Sequence, residues 1–266
     1  MLEPGELAAV TAAFGVAEPQ VRRDHLISHV LAALAHLDGP CDTLVFFGGT
    51  ALARTHLPNP ADGGRLSEDI DLWTDNRATV AAFLETQLPR ALRREFPRTR
   101  WEPALTAVRS AIDPAQLVTA DGLRLRIQLL DTGNAHREWT RWPTEQREIH
   151  VRYSDVGPTR LRVPTVDAFT AMKLAAWADR RAARDLYDLA ALARAEKITE
   201  ASSALFRDMI GYSVSPALFQ SRPAGDWEAQ LAHQTAHLPS PAECLADIRG
   251  TYAALLGWPS SRDSFT

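Results

Sequence analysis

Two short stretches contain residue types that do chemistry together. In "FFGGTALART", Gly48 and Gly49 follow the apolar Phe46 and Phe47 and lead straight into helix-forming residues, so bare backbone N–H groups gather at a helix start. In "SEDIDL", Asp69 and Asp71 alternate with Ile70 and Leu72. On a strand, that alternation puts both carboxylates on one face and the aliphatic side chains on the other. Adjacent acids repel unless a cation lies between them, and hard oxygen ligands of this kind suit Mg²⁺, which keeps its remaining positions for water and phosphate. Each stretch also has a plainer reading, a tight strand-to-helix turn for the first and a solvated acidic face for the second. Together they point to phosphate and metal. The turn is neither a Walker A loop nor a G-x-G-x-x-G fingerprint, because no G-K-[ST] and no third glycine follow.

A third signal comes from composition. Of 29 basic residues only Lys173 and Lys197 are lysine. The compact ammonium and the planar guanidinium fit different sites, so a lysine in an arginine-using chain raises the question of why arginine was not used there. Lys197 lies near a helix end; Lys173 lies inside a helical pattern.

The elements that must position these residues follow from periodicity. Residues 20–37 read as an amphipathic helix, Thr43–Phe47 as a buried strand, Thr50–His56 as a helix start and Asp69–Trp73 as a strand, with a loop over Pro58–Gly64. Ala78–Phe96 is expected to be helical. Strands are expected within 103–131, where Leu123, Leu125, Ile127 and Leu129 share one face and Arg124, Arg126 and Gln128 the other, and again at Ile149–Tyr153 and Leu161–Val163. After Pro164 the chain turns alanine-rich and helical. The fold class is therefore α/β (α+β): an N-terminal mixed sheet with helices over 1–163, and a C-terminal helical unit over 164–266 that completes the site.

Bulk properties narrow the function. A length of 266 residues and a 45% hydrophobic share suit a folded chain, and a net charge of −4 gives no global attraction to nucleic acid or anionic lipid. Cys41 and Cys244 are too few for a disulfide framework or a cysteine zinc site. With no membrane-length apolar run and an N-terminus carrying acids, the expected location is cytoplasmic, with no membrane partner.

"FFGGTALART", "RLSEDIDL" and "KLAAWADRRAARDLYDLAAL", in that order over residues 44–195, resemble the AbiEii/AbiGii nucleotidyltransferase toxins, including the mycobacterial MenT-type enzymes, of the DNA polymerase β-like nucleotidyltransferase superfamily. The resemblance implies a metal-dependent enzyme that transfers a nucleoside monophosphate from an NTP to an acceptor hydroxyl, most readily a tRNA 3′ end, within a toxin–antitoxin system. It implies that Asp69 and Asp71 hold Mg²⁺ and act in catalysis with Lys173 and Asp185. It further implies that Gly48, Gly49, Thr50, Arg65, Ser67 and Asp188 bind the nucleotide. Were residues 166–194 one straight helix, Lys173 and Asp188 would lie about 22 Å apart, so the resemblance requires a break between Asp179 and Ala183. A third metal-site acid is not evident: Gln128 occupies the polar face and Asp131 has the opposite parity, which would leave the base role to Asp185.

Arg90 to Arg109 holds six arginines against Glu95 and Glu102, a local surplus that favours an RNA acceptor, and Trp101, Trp139 and Trp142 lie nearby for stacking on bases or for burial. Residues 199–248 hold six acids against Arg207 and Arg222, a surface suited to a basic partner such as a cognate antitoxin. Two other readings remain: a nucleotide-binding or antitoxin-like protein without turnover, and a D-x-D glycosyltransferase, which leaves the glycine turn unexplained.

Overall fold

In the computed structural model, which describes residues 2–108, 114–133 and 137–258, the chain opens with helices α1 (Pro4–Phe14) and α2 (Glu18–His36). The helical periodicity of α2 is plain in the sequence. That of α1 is not, because alanines spread mild hydrophobicity around the whole helix while only Val10 and Phe14 are buried.

Strand β1 (Val45–Phe47) passes directly into α3 (Gly48–Thr55). Then come β2 (Asp69–Thr74), α4 (Arg77–Ala91), β3 (Arg100–Trp101), β4 (Ala115–Val118) and β5 (Arg124–Asp131). These five strands form one sheet in the order β1-β2-β5-β4-β3. Its β2–β5 pair is parallel and the other pairs are antiparallel, so the sheet is mixed. β5 shows why it forms: Leu125, Ile127 and Leu129 are buried while Arg124 and Arg126 are exposed, the period-two pattern of a half-covered strand. On β2, Ile70 and Leu72 join the same core and leave Asp69 and Asp71 facing the other way. The helix expected over Ala78–Phe96 ends at Ala91, and a 3-10 turn takes over at Leu92–Arg94.

A separate ribbon pairs β6 (Thr144–Glu148) with β7 (Arg160–Pro164). The strand expected at Ile149–Tyr153 is thus displaced. The strand is the polar Thr144–Glu148, which buries no residue fully and so lacks any hydrophobic alternation to read. Tyr153 instead packs in the small cluster formed with α1 and α2.

Helices α5 (Val166–Arg180), α6 (Ala183–Arg194), α7 (Glu200–Ile210), α8 (Trp227–Leu231) and α9 (Pro241–Leu256) complete the chain. Thr165 caps α5 by accepting from the Ala168 N–H. The core is one apolar cluster reaching from Leu26 on α2 to Tyr252 on α9. β7 crosses the boundary expected at residue 163, and the apolar core joins residues of both halves. Among the described residues, no helix is long and apolar enough to cross a membrane.

Candidate active site

The site is assembled where β1 turns into α3. Gly48 has φ +80°, a left-handed conformation that favours glycine, and a Cβ built on it would lie 2.1 Å from Asp71 Oδ2. A Cβ on Gly49 would meet Arg65 Nη2 at 2.6 Å and Ser67 Oγ at 3.3 Å. The bare turn therefore touches the carboxylate pair on one side and the Arg65–Ser67 segment on the other. No side chain caps α3, which leaves its first-turn N–H groups available to an anion. Ser67 Oγ makes no hydrogen bond among the described residues and is available at the turn. The Thr50 hydroxyl is differently disposed. It is buried and donates to the Asp69 carbonyl, so it ties α3 to β2 and has no free proton for a nucleotide.

Asp71 stands opposite Gln128 and Asp69 opposite Arg126 in the β2–β5 register. Burial, reinforced by the neighbouring Asp69, pushes the Asp71 carboxyl up to about 6, against the opposing pull of Lys173 and Arg180. Burial also raises Asp69, whose closest ion-pair partner is Arg126 at 3.7 Å. A pair of acids held this unfavourably is primed for a cation. Among the described residues, no third His, Cys, Asp or Glu joins them within metal-sharing distance. Gln128 occupies the place opposite Asp71, and Asp131 lies at the strand end, where its Oδ1 accepts from the Gly133 N–H at 2.9 Å.

The helical half brings in Lys173. The chain breaks after α5 as the resemblance requires, with Arg181 at φ +51° and Ala182 extended before α6 begins. The fold-back sets Lys173 Nζ 2.7 Å from Asp188 Oδ2 and 3.1 Å from Asp185 Oδ1. Arg65 grips Asp188 with two parallel hydrogen bonds of 2.9 Å and also donates to Gln234 Oε1. Arg180 reaches Asp185 at 2.8 Å and 3.2 Å. Burial works against all these charges, but Arg65 and Lys173 hold Asp188 down at about 2, and the two aspartates keep Lys173 protonated.

This network bears on two roles expected from the sequence. Asp185 is fully buried, paired with Lys173 and Arg180, and held below its ordinary value, so it is a poor proton acceptor and not a suitable base. Arg65 and Asp188 are buried against each other; Asp188 also pairs with Lys173, and Arg65 Nη2 lies against the Gly49 backbone. Lys173 and Arg180 lie close enough to Asp71 to act on its charge.

One residue of the site escapes sequence reasoning about roles. Arg184, on the first turn of α6, acts electrostatically on Asp69, and its Nε is buried without a hydrogen-bond partner. Its only signal is its place beside Asp185 in "RDLYD". The tryptophans are mainly structural: Trp142 is buried, Trp101 Nε1 donates to the Glu85 carbonyl at 3.1 Å, and Trp139 packs on Phe47 and Trp73. Arg90, Arg93, Arg94, Arg98 and Arg100 are exposed, while Arg109 lies outside the described residues.

The fold is similar to that of a solved nucleotidyltransferase toxin. MenT4, a nucleotidyltransferase toxin from Mycobacterium tuberculosis H37Rv, aligns with a TM-score of 0.63 at 18% identity over 96% of this chain and 90% of its own. An antigenic nucleotidyltransferase-like protein from Paracoccidioides brasiliensis aligns over 71% of this chain and 88% of its own, at 10% identity and a TM-score of 0.38. The architecture is thus that of a nucleotidyltransferase toxin. The sequence profile of the nucleotidyl transferase AbiEii toxin, of type IV toxin–antitoxin systems, matches residues 29–251, and the chain belongs to that family. No curated protein matches it.

Proposed function

We propose that this toxin transfers a nucleoside monophosphate from an NTP to the terminal hydroxyl of a tRNA in the cytoplasm, releasing pyrophosphate. The observation that carries the reading is the contact between the bare Gly48 turn and Asp71, which brings an anion-binding helix start and a carboxylate pair to one point. The α3 N–H groups, Ser67 Oγ and the Arg184 guanidinium orient the triphosphate. Lys173, held at a fixed position by Asp185 and Asp188, neutralises charge as the bond between the α-phosphorus and the pyrophosphate oxygen breaks. The acceptor oxygen forms the new bond to that phosphorus and gives up its proton to solvent water, while the electron pair of the broken bond leaves on pyrophosphate.

The donor set fits a magnesium ion: two oxygen ligands on one strand face, one of them costly to ionise when alone. Asp69 and Asp71 would hold it, and it would supply charge neutralisation on the triphosphate.

The exposed arginines between Arg90 and Arg100 support an RNA acceptor, although Arg94 and Arg100 each pair with a nearby glutamate. An antitoxin that meets the acidic C-terminal helices directly is the corresponding partner. There Asp247 is engaged by Arg194 and Asp208 by Arg207, leaving Glu200, Asp226, Glu228 and Glu243 without ion pairs among the described residues, with Asp226 and Glu243 used in helix caps.

Incubating the protein with each labelled NTP, Mg²⁺ and total RNA tests the proposal. Label in the tRNA band that disappears with Asp71→Asn is expected. Label in protein alone would move the acceptor, and no transfer with any NTP would leave nucleotide binding without turnover.

A further inference from the structure

Away from the nucleotide cleft, His25 and His29 stand one turn apart on the same face of α2, in the sequence "DHLISH". Asp155 approaches them from the segment between β6 and β7. His25 Nε2 lies 3.0 Å from Asp155 Oδ2, His29 Nε2 lies 3.3 Å from the same oxygen, and the two Nε2 atoms are 3.2 Å apart. Three ligand atoms thus form a nearly equilateral triangle. Donor atoms at zinc-ligand distance from a tetrahedral ion are separated by about 3.3 Å.

With Asp155 ionised, hydrogen bonds among these three atoms do not make all three contacts attractive at once. With Asp155 ionised, a proton on each Nε2 makes both donate to the carboxylate but sets two N–H groups against each other. A proton on one Nε2 only lets it face the carboxylate and the other nitrogen, but then the second nitrogen's lone pair confronts the carboxylate oxygen. With the carboxylate ionised, each of these arrangements leaves one of the three contacts repulsive, whereas a divalent cation at the centre makes all three donors attractive.

The ligands are held in place independently of one another. The Ser154 N–H donates to Glu6 Oε1 at 2.7 Å, and the Tyr153 hydroxyl donates to Asp24 Oδ2 at 2.8 Å, which anchors the Asp155 segment to α1 and α2. His25 packs edge-on against Tyr153, and both imidazoles pack on Phe96. Beside His29 lies a cavity of about 280 Å³ lined by His36, Leu92 and Glu95, with space for a water in a fourth position. Among the described residues this is the one group of three or more His, Cys, Asp or Glu side chains that converge in this way.

We propose that His25, His29 and Asp155 bind a zinc ion that fastens the Asp155 segment to α2. Two imidazoles and one carboxylate are a zinc donor set, with magnesium disfavoured by the nitrogens. The site is separate from the Asp69–Asp71 pair in residues and in chemistry. It does not depend on the nucleotidyl-transfer reading.

The test uses full-length protein stripped with a chelator and then titrated with Zn²⁺ against a chromogenic competitor. One zinc per chain is expected, with a rise in melting temperature on binding. His29→Gln and Asp155→Asn should weaken binding by roughly 100-fold or more while Asp71→Asn leaves it unchanged. Circular dichroism checks that the variants fold. Should they not, Co²⁺ added to the wild type gives the answer through the visible absorption of a four-coordinate nitrogen and oxygen site. The proposal is overturned if wild type retains no more zinc than folded His29→Gln, if Asp71→Asn abolishes binding, or if the cobalt spectrum is that of the six-coordinate aqueous ion.

Discussion

Asp71 is where burial and function conflict most directly. Its carboxyl sits above its ordinary value, at about 6, so in metal-free protein it favours folding below about pH 4, and this contribution is lost as the pH rises through 6. Asp71→Asn removes the loss. We expect the metal-free variant to match wild type at acid pH and to exceed it by about 1–2 kcal/mol at pH 8, as measured by urea denaturation, while transfer falls at least about 100-fold. Because a proton competes for the same oxygens, Mg²⁺ affinity of the wild type should drop roughly tenfold per pH unit below 6, a slope calorimetry would find absent in the variant. Lys173 makes a different case. Its ammonium fills a buried socket between Asp185 and Asp188 that already has a guanidinium on each side, from Arg65 and Arg180. Lys173→Arg keeps the charge but needs room for a planar fork, so we expect about 10-fold or greater loss of transfer, whereas Lys197→Arg should stay within about twofold. Equal activities in the same assay would show that scarcity of lysine carries no information here.

The reversal between α5 and α6 is the element on which the site depends most, and it is made without glycine. Arg181 adopts a left-handed conformation at φ +51°, which costs a non-glycine residue on the order of 1 kcal/mol. Arg181→Gly should leave activity intact and shift stability by no more than about 1 kcal/mol. Unfolding curves and the transfer assay together would check it, and a large loss of activity would mean that the Arg181 side chain itself serves the cleft. The same turn shows why parts of this molecule are readable from sequence and others are not. β2 and β5 are legible because each has one covered face, and alternation records it. β6 has no covered face and leaves no pattern; its pairing with β7 shows only in three dimensions. The glycine turn, Asp69 and Asp71 are visible because their types are unusual at that spacing. The roles of Arg65 and Asp188 are hidden, since a buried ion pair 123 residues apart looks in sequence like two ordinary surface charges.

At the scale of the whole molecule, the two halves share one core and one site, and toxicity should follow catalysis. Expression of the wild type is expected to slow bacterial growth, and Asp71→Asn, whose fold is kept, should be harmless at equal protein levels; growth curves with immunoblots would decide it. An equally toxic variant would point to sequestration of RNA or nucleotide instead of its modification. Arg65 connects these halves most directly. Its guanidinium bridges the glycine turn to Asp188 and to Gln234, a partner 169 residues later in the chain. A ribosome making this protein therefore exposes the glycine turn and both metal-pair aspartates early, while the groups that brace them are still unmade. Until residue 234 has emerged, Arg65 lacks one of its partners. Synthesis itself thus acts as a delay, in which an unfinished toxin carries its reactive motifs in a form that cannot yet turn on the cell producing it.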